Sequence, residues 1–259
     1  MANHASQPLN ILVTRPTHQA NTISLQLDAL GATVYRFPTL HITALNPPPF
    51  DTPNQQALFI FTSTNAVIYG LSYLKKFRLI PKQPQFLAIG EKTKQALISH
   101  GFHVYLTTPP PFNSEALLKL AMLSTNKLKH KTVFIIKGEN GRNLLHETLT
   151  IRGATVRSLS VYQRRITTPS IQQIIKIQHI NIDIIMLTSV ESAQNLITLL
   201  GPKKIAWLYK AQLLLGSTRI ADEVKKLGFT NPYWIANNPS DKTMLTTLTQ
   251  NLEYINDTT

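Results

Sequence analysis

An internal repeat is the sequence feature that most constrains how this chain folds. Thr62-Ser63 and Thr188-Ser189 each end an apolar run, and the two pairs stand 126 positions apart. Two further pairs of markers share that offset: Gly90 with Gly216, and Ser114-Glu115 with Ser240-Asp241. Three markers in one register indicate two copies of one structural unit, which we call B (57–122) and B′ (182–250).

A second repeat has an offset of 122 positions. Its matching segments are Gly31-Ala32-Thr33-Val34 with Gly153-Ala154-Thr155-Val156, and Ile11-Leu12-Val13 with Val133-Phe134-Ile135. One interpretation is a second repeated unit, A (about 11–42) and A′ (133–165). The alternative is that many units of this kind look alike.

The chain then has the order A, B, A′, B′, and each domain needs one A-type and one B-type unit. Either A pairs with B and A′ with B′ in tandem, or B and A′ form a domain inserted between A and B′. Consecutive units are usually neighbours in space, so the residues alone slightly favour the tandem.

Periodicity predicts an α/β fold. Short β-branched or aromatic runs alternate with segments of helical spacing, and this alternation is typical of parallel sheets covered by helices. Two examples of helical spacing are Ile23, Leu27 and Leu30, and Leu117, Leu118 and Met122. The predicted strands are 10–14, 33–37, 57–62, 85–89, 103–106, 132–136, 155–159, 182–187, 205–208, 212–215 and 233–236. Glycines expected at helix C-termini are Gly31, Gly101, Gly153 and Gly228.

Composition limits the possible partners and chemistry. The chain has 26 Lys+Arg against 13 Asp+Glu, so its net charge of +13 reflects scarce acids and favours an acidic partner. Nucleic acid, an anionic membrane surface and a polycarboxylate all satisfy that charge. The absence of cysteine excludes disulfides, thiolate nucleophiles and zinc–thiolate sites. The N-terminus, Met1 to Pro8, does not have the pattern of a signal peptide, and the apolar runs are short, so we expect a cytoplasmic protein without a membrane segment.

Small polar residues recur where predicted strands end and helices begin. Such positions present unpaired backbone N–H groups to anions, which suits a carboxylate ligand. The alternative is that each serine or threonine is an ordinary N-cap. The recurring segments are Thr14-Arg15-Pro16, Thr62-Ser63-Thr64-Asn65, Gly90-Glu91-Lys92-Thr93, Thr188-Ser189 and Gly216-Ser217-Thr218-Arg219.

Three groups of side chains are candidates for binding or chemistry. Arg15 and Arg219 stand just beyond strand ends, where a guanidinium can hold a carboxylate or form a surface ion pair. The run from Lys137-Gly138 to Arg142 can form an anion-binding nest, although it lacks the spacing of a nucleotide-binding loop. Tyr162 follows the last predicted strand of A′. A phenol is protonated at neutral pH and can donate its proton, but a tyrosine at a strand end is more often a packing residue.

Several kinds of site find no support in the sequence. Of the eight histidines only His100 and His103 are close, and they flank Gly101, which argues against a metal site. The acids are almost all isolated, so a glycosidase-like carboxylate pair is not expected. Lys127, Lys129 and Lys131 lack neighbouring aromatics, which favours a solvated turn over a nucleic-acid groove.

Together, six motifs in order along the chain resemble those of uroporphyrinogen-III synthases. They are Val13-Thr14-Arg15-Pro16, Phe61-Thr62-Ser63-Thr64-Asn65-Ala66-Val67, Ala88-Ile89-Gly90 with Thr93, Gly138 with Gly141-Arg142 and Leu145, Val161-Tyr162-Gln163, and Ser217-Thr218-Arg219-Ile220-Ala221. The resemblance implies two doubly wound parallel-sheet α/β domains, joined by a two-stranded linker, with a cleft between them. The domains would be 1–37 with 167–259, and 40–164, which reverses the preference for a tandem. Val34 to His41 and Leu159 to Thr167 would be the crossing segments.

The activity implied by the resemblance is the cyclisation of hydroxymethylbilane to uroporphyrinogen III in heme biosynthesis. Tyr162 would be the proton donor, with no cofactor or metal. The residues expected to bind substrate are Arg15, Ser63, Asn65, Thr93, Lys137, Gly138, Ser189, Ser217 and Arg219. We expect a monomer that does not bind nucleic acid or membrane, with the preceding bilane-forming enzyme as a candidate partner. The alternatives are a non-catalytic two-domain receptor for an acidic ligand and a basic nucleic-acid-binding protein.

Overall fold

The computed structural model of the chain describes residues 8–51, 53–54, 56–201 and 208–258. Contacts divide the chain into two compact units, and each contains a sheet of its own. Unit 1 consists of Met1–His41 with Arg165–Thr259, and unit 2 consists of Ile42–Arg164. That each predicted domain folds independently remains a prediction.

Eleven strands are present in the described residues. They are β1 (Asn10–Val13), β2 (Thr33–Arg36), β3 (Leu40–Ala44), β4 (Leu58–Phe61), β5 (Gln85–Ala88), β6 (Leu106–Thr107), β7 (Thr132–Gly138), β8 (Thr155–Ile166), β9 (Ile184–Leu187), β10 (Gln212–Leu215) and β11 (Tyr233–Ile235).

The described α-helices lie between most of these strands and after the last. They are α1 (Thr17–Ala29), α2 (Thr64–Lys76), α3 (Glu91–Ser99), α4 (Ser114–Leu118), α5 (Thr125–Leu128), α6 (Leu144–Ile151), α7 (Ile171–His179), α8 (Val190–Leu200), α9 (Thr218–Lys226) and α10 (Asp241–Thr258).

Unit 1 contains a five-stranded sheet in the order β11-β10-β9-β1-β2, with every ladder parallel. Neighbouring residues of β1 pack in different hydrophobic clusters. Leu12 packs in one cluster, while Ile11 and Val13 pack in another. Because successive side chains of a strand point to opposite faces, both faces of this sheet are buried.

Unit 2 contains a six-stranded sheet in the order β3-β8-β7-β4-β5-β6. The paired strands from β8 to β6 are parallel. Here too the buried side chains alternate between two cores, since Phe59 and Phe61 belong to one cluster and Leu58 and Ile60 to another. The prediction of parallel sheets with helices on both faces is confirmed.

Strand pairing shows which repeated units belong together. The sheet of unit 1 combines the strands of A with those of B′, and the sheet of unit 2 combines B with A′. The repeat extends to register, since β1 begins its pairing with β2 at Asn10↔Thr33, and β7 with β8 at Thr132↔Thr155. These pairs are 122 positions apart. The tandem pairing that chain order alone favoured is therefore wrong.

Local backbone chemistry explains where many helices begin and end. Ser63, Ser189 and Ser217 are N-caps whose hydroxyl oxygens accept backbone N–H groups of the first turn. The four glycines predicted after helices all have left-handed φ angles: Gly31, Gly101, Gly153 and Gly228. Their lack of a Cβ allows this conformation at low cost.

Two local predictions differ from the structure. β3 was not predicted as a strand, although its first residues overlap the extended segment expected at Val34 to His41. The helix expected through Leu117 and Met122 ends at Leu118, and a short 3₁₀ helix follows. The guanidinium of Arg152 donates to the Leu118 and Leu123 carbonyls, both at 2.7 Å, and so satisfies groups that a continuous helix would pair internally.

Two predicted strands lie near irregular segments of the chain. Of the strand expected at 103–106, only Leu106 is in a strand, and that strand is β6. The strand expected at 205–208 lies outside the described residues except for Leu208, which is in a turn. Across the ranges that the structure describes, no helix combines the length and apolarity needed to cross a membrane.

Candidate active site

The central feature of the candidate site is a hydrogen bond between two hydroxyl groups of unit 2. The hydroxyl oxygen of Ser63 lies 3.1 Å from the phenol oxygen of Tyr162. Ser63 follows β4, and Tyr162 lies in β8 beyond the intervening strand β7. Sheet topology therefore brings together two residues that both appeared in the sequence motifs.

Ser63 has a second hydrogen bond that orients its hydroxyl. The backbone N–H of Ala66 donates to the Ser63 oxygen at 3.1 Å, as expected of an N-cap. The serine proton is then free to point toward the Tyr162 oxygen. In that arrangement the phenol proton of Tyr162 remains available for another acceptor.

The ring of Tyr162 passes close to Gly138 at the end of β7. A Cβ atom at Gly138 would lie 2.7 Å from Cζ and 3.0 Å from the phenol oxygen. A break in register after Lys137 places Gly138 opposite Tyr162. Glycine is needed here because any larger residue would displace the phenol.

Tyr69 supports the other side of the site, and sequence analysis did not identify it. Its ring stacks on that of Tyr162 with centroids 5.8 Å apart. Its hydroxyl donates to the Ile42 carbonyl at 2.9 Å, and burial raises the pKa of Tyr69 above its ordinary value. Tyr69 stands six positions after Ser63 in α2, and among other apolar residues of that helix it has the pattern of a core aromatic.

Three other candidates of unit 2 lie near strand ends and are buried: Asn65, Thr93 and Lys137. Asn65 is in the first turn of α2, and Thr93 is in the first turn of α3. The ammonium of Lys137 donates to the Gly141 carbonyl at 2.8 Å. It therefore closes the loop after β7, which the sequence predicted as an anion-binding nest.

The corresponding positions of unit 1 are also N-caps. The Ser189 oxygen accepts the Ser192 N–H at 3.0 Å, and the Ser217 oxygen accepts the Ile220 N–H at 3.4 Å. Arg219, in the first turn of α9, is exposed to solvent. The N-cap interpretation is thus confirmed for these serines. The hydroxyl of Ser189 is also hydrogen-bonded to the Ser192 hydroxyl at 2.8 Å.

Arg15 is held within unit 1. Its guanidinium forms an ion pair with Asp241 and donates to the Pro239 carbonyl at 2.9 Å. The Arg15 side chain is only 8% exposed. Unit 2 has a counterpart on the surface, where Arg142 pairs with Glu115 and lowers the pKa of that carboxyl. Glu115 and Asp241 are the acids of the repeat marker, so each copy uses its acid to hold an arginine.

A metal site was one kind of chemistry that the sequence argued against. No group of three or more His, Asp or Glu side chains that could hold a metal ion occurs among the residues described by the structure. The candidate residues of each unit provide hydroxyl groups, helix N-termini and cations. Such groups can bind carboxylates and exchange protons.

Comparison with known families decides between the possible identities. A family model described as "Uroporphyrinogen-III synthase HemD" matches residues 21–246, which is most of the chain and includes Ser63 and Tyr162. The chain belongs to the uroporphyrinogen-III synthase family. The resemblance seen in the motifs is therefore confirmed. The prediction of a lyase of tetrapyrrole and heme biosynthesis is also confirmed at the level of the family.

Two similar proteins of this family match over most of this chain. The uroporphyrinogen-III synthase of Salmonella typhimurium is 30% identical over 250 residues, covering 93% of this chain and 100% of that protein. That of Escherichia coli K12 is 29% identical over 248 residues, with the same shares covered.

Two solved structures of uroporphyrinogen-III synthases share the fold. The Helicobacter pylori structure has a TM-score of 0.62 at 18% identity, and the match covers 95% of this chain and 99% of the Helicobacter pylori chain. A mutant Thermus thermophilus structure has a TM-score of 0.58 at 16% identity, and the match covers 95% of this chain and 99% of that chain. These likenesses concern the fold, and the roles of individual side chains in this family member remain predictions.

Proposed function

We propose that this chain cyclises hydroxymethylbilane to uroporphyrinogen III, with inversion of the fourth ring and loss of water. Family membership over residues 21–246 supports the reaction class. The observation that carries the proposal for the site is the 3.1 Å hydrogen bond between Ser63 and Tyr162 at the carboxyl ends of the unit 2 sheet. It provides an oriented proton donor at an edge where α/β sheets usually bind ligands.

The first step in this proposal is the loss of the terminal hydroxyl of the bilane. Tyr162 transfers its phenol proton to that hydroxyl, which leaves as water, and the bilane becomes an azafulvenium cation. Loss of the N–H proton of that ring to the Tyr162 phenolate then gives the azafulvene and restores the phenol. Ser63 donates a hydrogen bond to the phenolate oxygen that forms, while the Ala66 N–H donates to the serine oxygen. Proton donation by a positioned side chain typically contributes about 10²–10⁴-fold to a rate.

The later steps depend on the shape in which the substrate is held. The azafulvene is attacked by the substituted carbon of the fourth ring, and the resulting spiro intermediate fragments and closes again with that ring inverted. Unaided closure gives the symmetric isomer instead. Binding must therefore favour the more crowded attack, which is catalysis by positioning.

Hydroxyl groups, helix N-termini and cations are the proposed contacts for the substrate carboxylates. Carboxylates are stabilised by backbone N–H groups at helix N-termini and by hydrogen bonds from charged donors. The net charge of +13 favours an anionic substrate over a long range. The proposed residues are Ser63, Asn65, Thr93, Lys137 and Gly138 in unit 2, and Arg15, Ser189, Ser217 and Arg219 in unit 1.

The expected partners follow from this chemistry. The steps involve proton transfer, cleavage of one carbon–oxygen bond and changes of carbon–carbon bonds, so we expect neither a metal nor an organic cofactor. We expect the protein to act in the cytoplasm as a monomer, without nucleic acid or membrane. The enzyme that makes the unstable bilane is a candidate partner, because direct transfer would limit unaided closure.

The test is to supply hydroxymethylbilane to the purified protein and to separate the product isomers. We expect uroporphyrinogen III as the main product, and the symmetric isomer alone in the absence of protein. A receptor for an acidic ligand would bind the bilane without altering the isomer ratio. A nucleic-acid-binding protein would instead show tight, salt-dependent binding to DNA or RNA and no affinity for the bilane.

A further inference from the structure

Unit 1 contains a cavity that has no part in the proposed chemistry. Its volume is about 520 Å³, within the range of about 300–1,000 Å³ that is usual for small-molecule sites. It is lined by residues of β2, the start of β3, the end of β8 and one side of α7. None of the proposed catalytic or substrate-binding residues lines it.

The charged groups of this cavity have the same sign. They are Arg36 and Lys176, and the lining also contains His41 but no aspartate or glutamate. Within the described part of the chain, no ion pair involves Arg36 or Lys176. The cavity therefore has a positive charge that its own lining does not neutralise.

Arg36 is already fixed in position. One of its terminal nitrogens donates to the Thr17 carbonyl at 2.7 Å and to the Asn21 side-chain oxygen at 2.8 Å. Both acceptors are neutral, so they orient the guanidinium without cancelling its charge. A preordered cation loses less entropy when it binds a ligand than a mobile side chain does.

The position of the charges indicates the type of anion. Arg36 comes from β2 and Lys176 from α7, so the two cations belong to different elements, and His41, Tyr35, Leu40 and Ile177 also line the cavity. A single compact ion can use only part of such a site. A carbon skeleton with several anionic groups can use the separate cations and the apolar surface at once.

The strand that borders the cavity adds further donors. β2 is the edge of the described five-stranded sheet. Alternate backbone N–H groups on the free side of an edge strand have no strand partner, so they can donate to an anion. This supports binding of carboxylate oxygens beside the guanidinium of Arg36.

We propose that this cavity of unit 1 binds a small organic polycarboxylate through residues other than those proposed to hold the bilane. The guanidinium of Arg36 and the ammonium of Lys176 bind different carboxylates of the ligand. His41 contributes another polar contact, and the apolar lining packs against the carbon skeleton. The proposal does not rest on the proposed function, since no residue is shared between the two sites.

Calorimetric titration with benzene-1,3,5-tricarboxylate tests the proposal on the full-length protein. We expect saturable binding to one site, unchanged in Tyr162→Phe. Arg36→Gln and Lys176→Gln should each weaken binding about 10- to 150-fold, since hydrogen bonds to charged groups are lost. Lys242→Gln is the matched control, because it removes an equal charge from an exposed position of unit 1 outside the cavity.

Three outcomes would overturn the proposal. The first is binding that neither cavity variant weakens, with thermal unfolding showing that both variants are folded. The second is equal affinity for the uncharged benzene-1,3,5-tricarboxamide, which would exclude recognition of carboxylates. The third is equal affinity for inorganic phosphate at constant ionic strength, which would show a compact-ion site instead.

Discussion

The hydroxyl oxygen of Ser63 and the phenol oxygen of Tyr162 are 3.1 Å apart, although the residues are 99 positions apart in the chain. Their strands are not adjacent, because β7 lies between β4 and β8. Strands in a sheet are about 4.8 Å apart, so this contact spans roughly two strand spacings. The long side chain of Tyr162 achieves this by passing over Gly138 at the end of β7.

Ser63→Ala should lower kcat and, because Ser63 is also a proposed contact for a substrate carboxylate, raise KM. The variant removes a donor to the phenolate oxygen, and a hydrogen bond to a charged group contributes about 1.5–3 kcal/mol, or roughly 10- to 150-fold in rate. Ser63→Thr keeps a hydroxyl and should restore most of the activity. Steady-state kinetics with hydroxymethylbilane measures both variants.

Ser170→Ala is the control for loss of an N-cap. Ser170 caps α7 and accepts the Gln173 N–H at 3.2 Å, outside the candidate site. Both alanine variants should lose a similar stability of about 0.5–2 kcal/mol in denaturant unfolding. Equal kcat values for the two would show that Ser63 acts only as a cap.

Gly138→Ala should reduce kcat at least about tenfold, because the new methyl group would displace the phenol of Tyr162 and small misplacements of catalytic groups are costly. Gly141→Ala is the matched control in the same loop. Its nearest contact would be Cε of Lys137 at 3.1 Å, and that end of the side chain can move. If both variants keep full activity, the phenol position is not critical.

The regular parts of both sheets could be predicted because their strands are buried on both faces. β4 and β9 are each four buried residues long, and such runs are distinct in the sequence. β3 was missed because its burial alternates and it lies at the edge of its sheet beside β8. Its pairing depends on tertiary structure, which no local pattern encodes.

The candidate site was only partly predictable for a similar reason. Motifs identified Ser63, Gly138 and Tyr162 separately, but the sheet order that joins them is a property of the whole unit. Tyr69 was missed because its spacing in α2 is that of a core residue. The partner of Arg15 was not foreseen because Asp241 lies 226 positions away.

Arg15→Met should lower the free energy of unfolding by about 1–3 kcal/mol, because it leaves the partly buried Asp241 without its cation. Urea unfolding measures this loss. Asp241→Asn breaks the same ion pair but keeps the guanidinium. If Arg15 also binds a substrate carboxylate, KM rises in Arg15→Met and not in Asp241→Asn. An equal KM in both would leave Arg15 a purely structural role.

A fragment of residues 40–164 should fold alone, because both hydrophobic clusters of unit 2 lie entirely within it. A fragment of residues 1–125 should not, since it contains β1 without its partner β9. Far-UV circular dichroism and thermal unfolding distinguish the two. Cooperative unfolding of 1–125 together with a disordered 40–164 would contradict an inserted domain.

The central claim, that Tyr162 donates the proton, is tested most directly by the turnover and product isomers of Tyr162→Phe. The variant keeps the ring beside Gly138 and Tyr69 but removes the phenol hydroxyl. We predict that kcat falls by about 10²-fold or more with little change in KM, and that the product shifts toward the symmetric isomer. Activity is not abolished, because water can partly replace the phenol. A folded Tyr162→Phe protein with wild-type kcat and isomer ratio would show that Tyr162 is a packing residue.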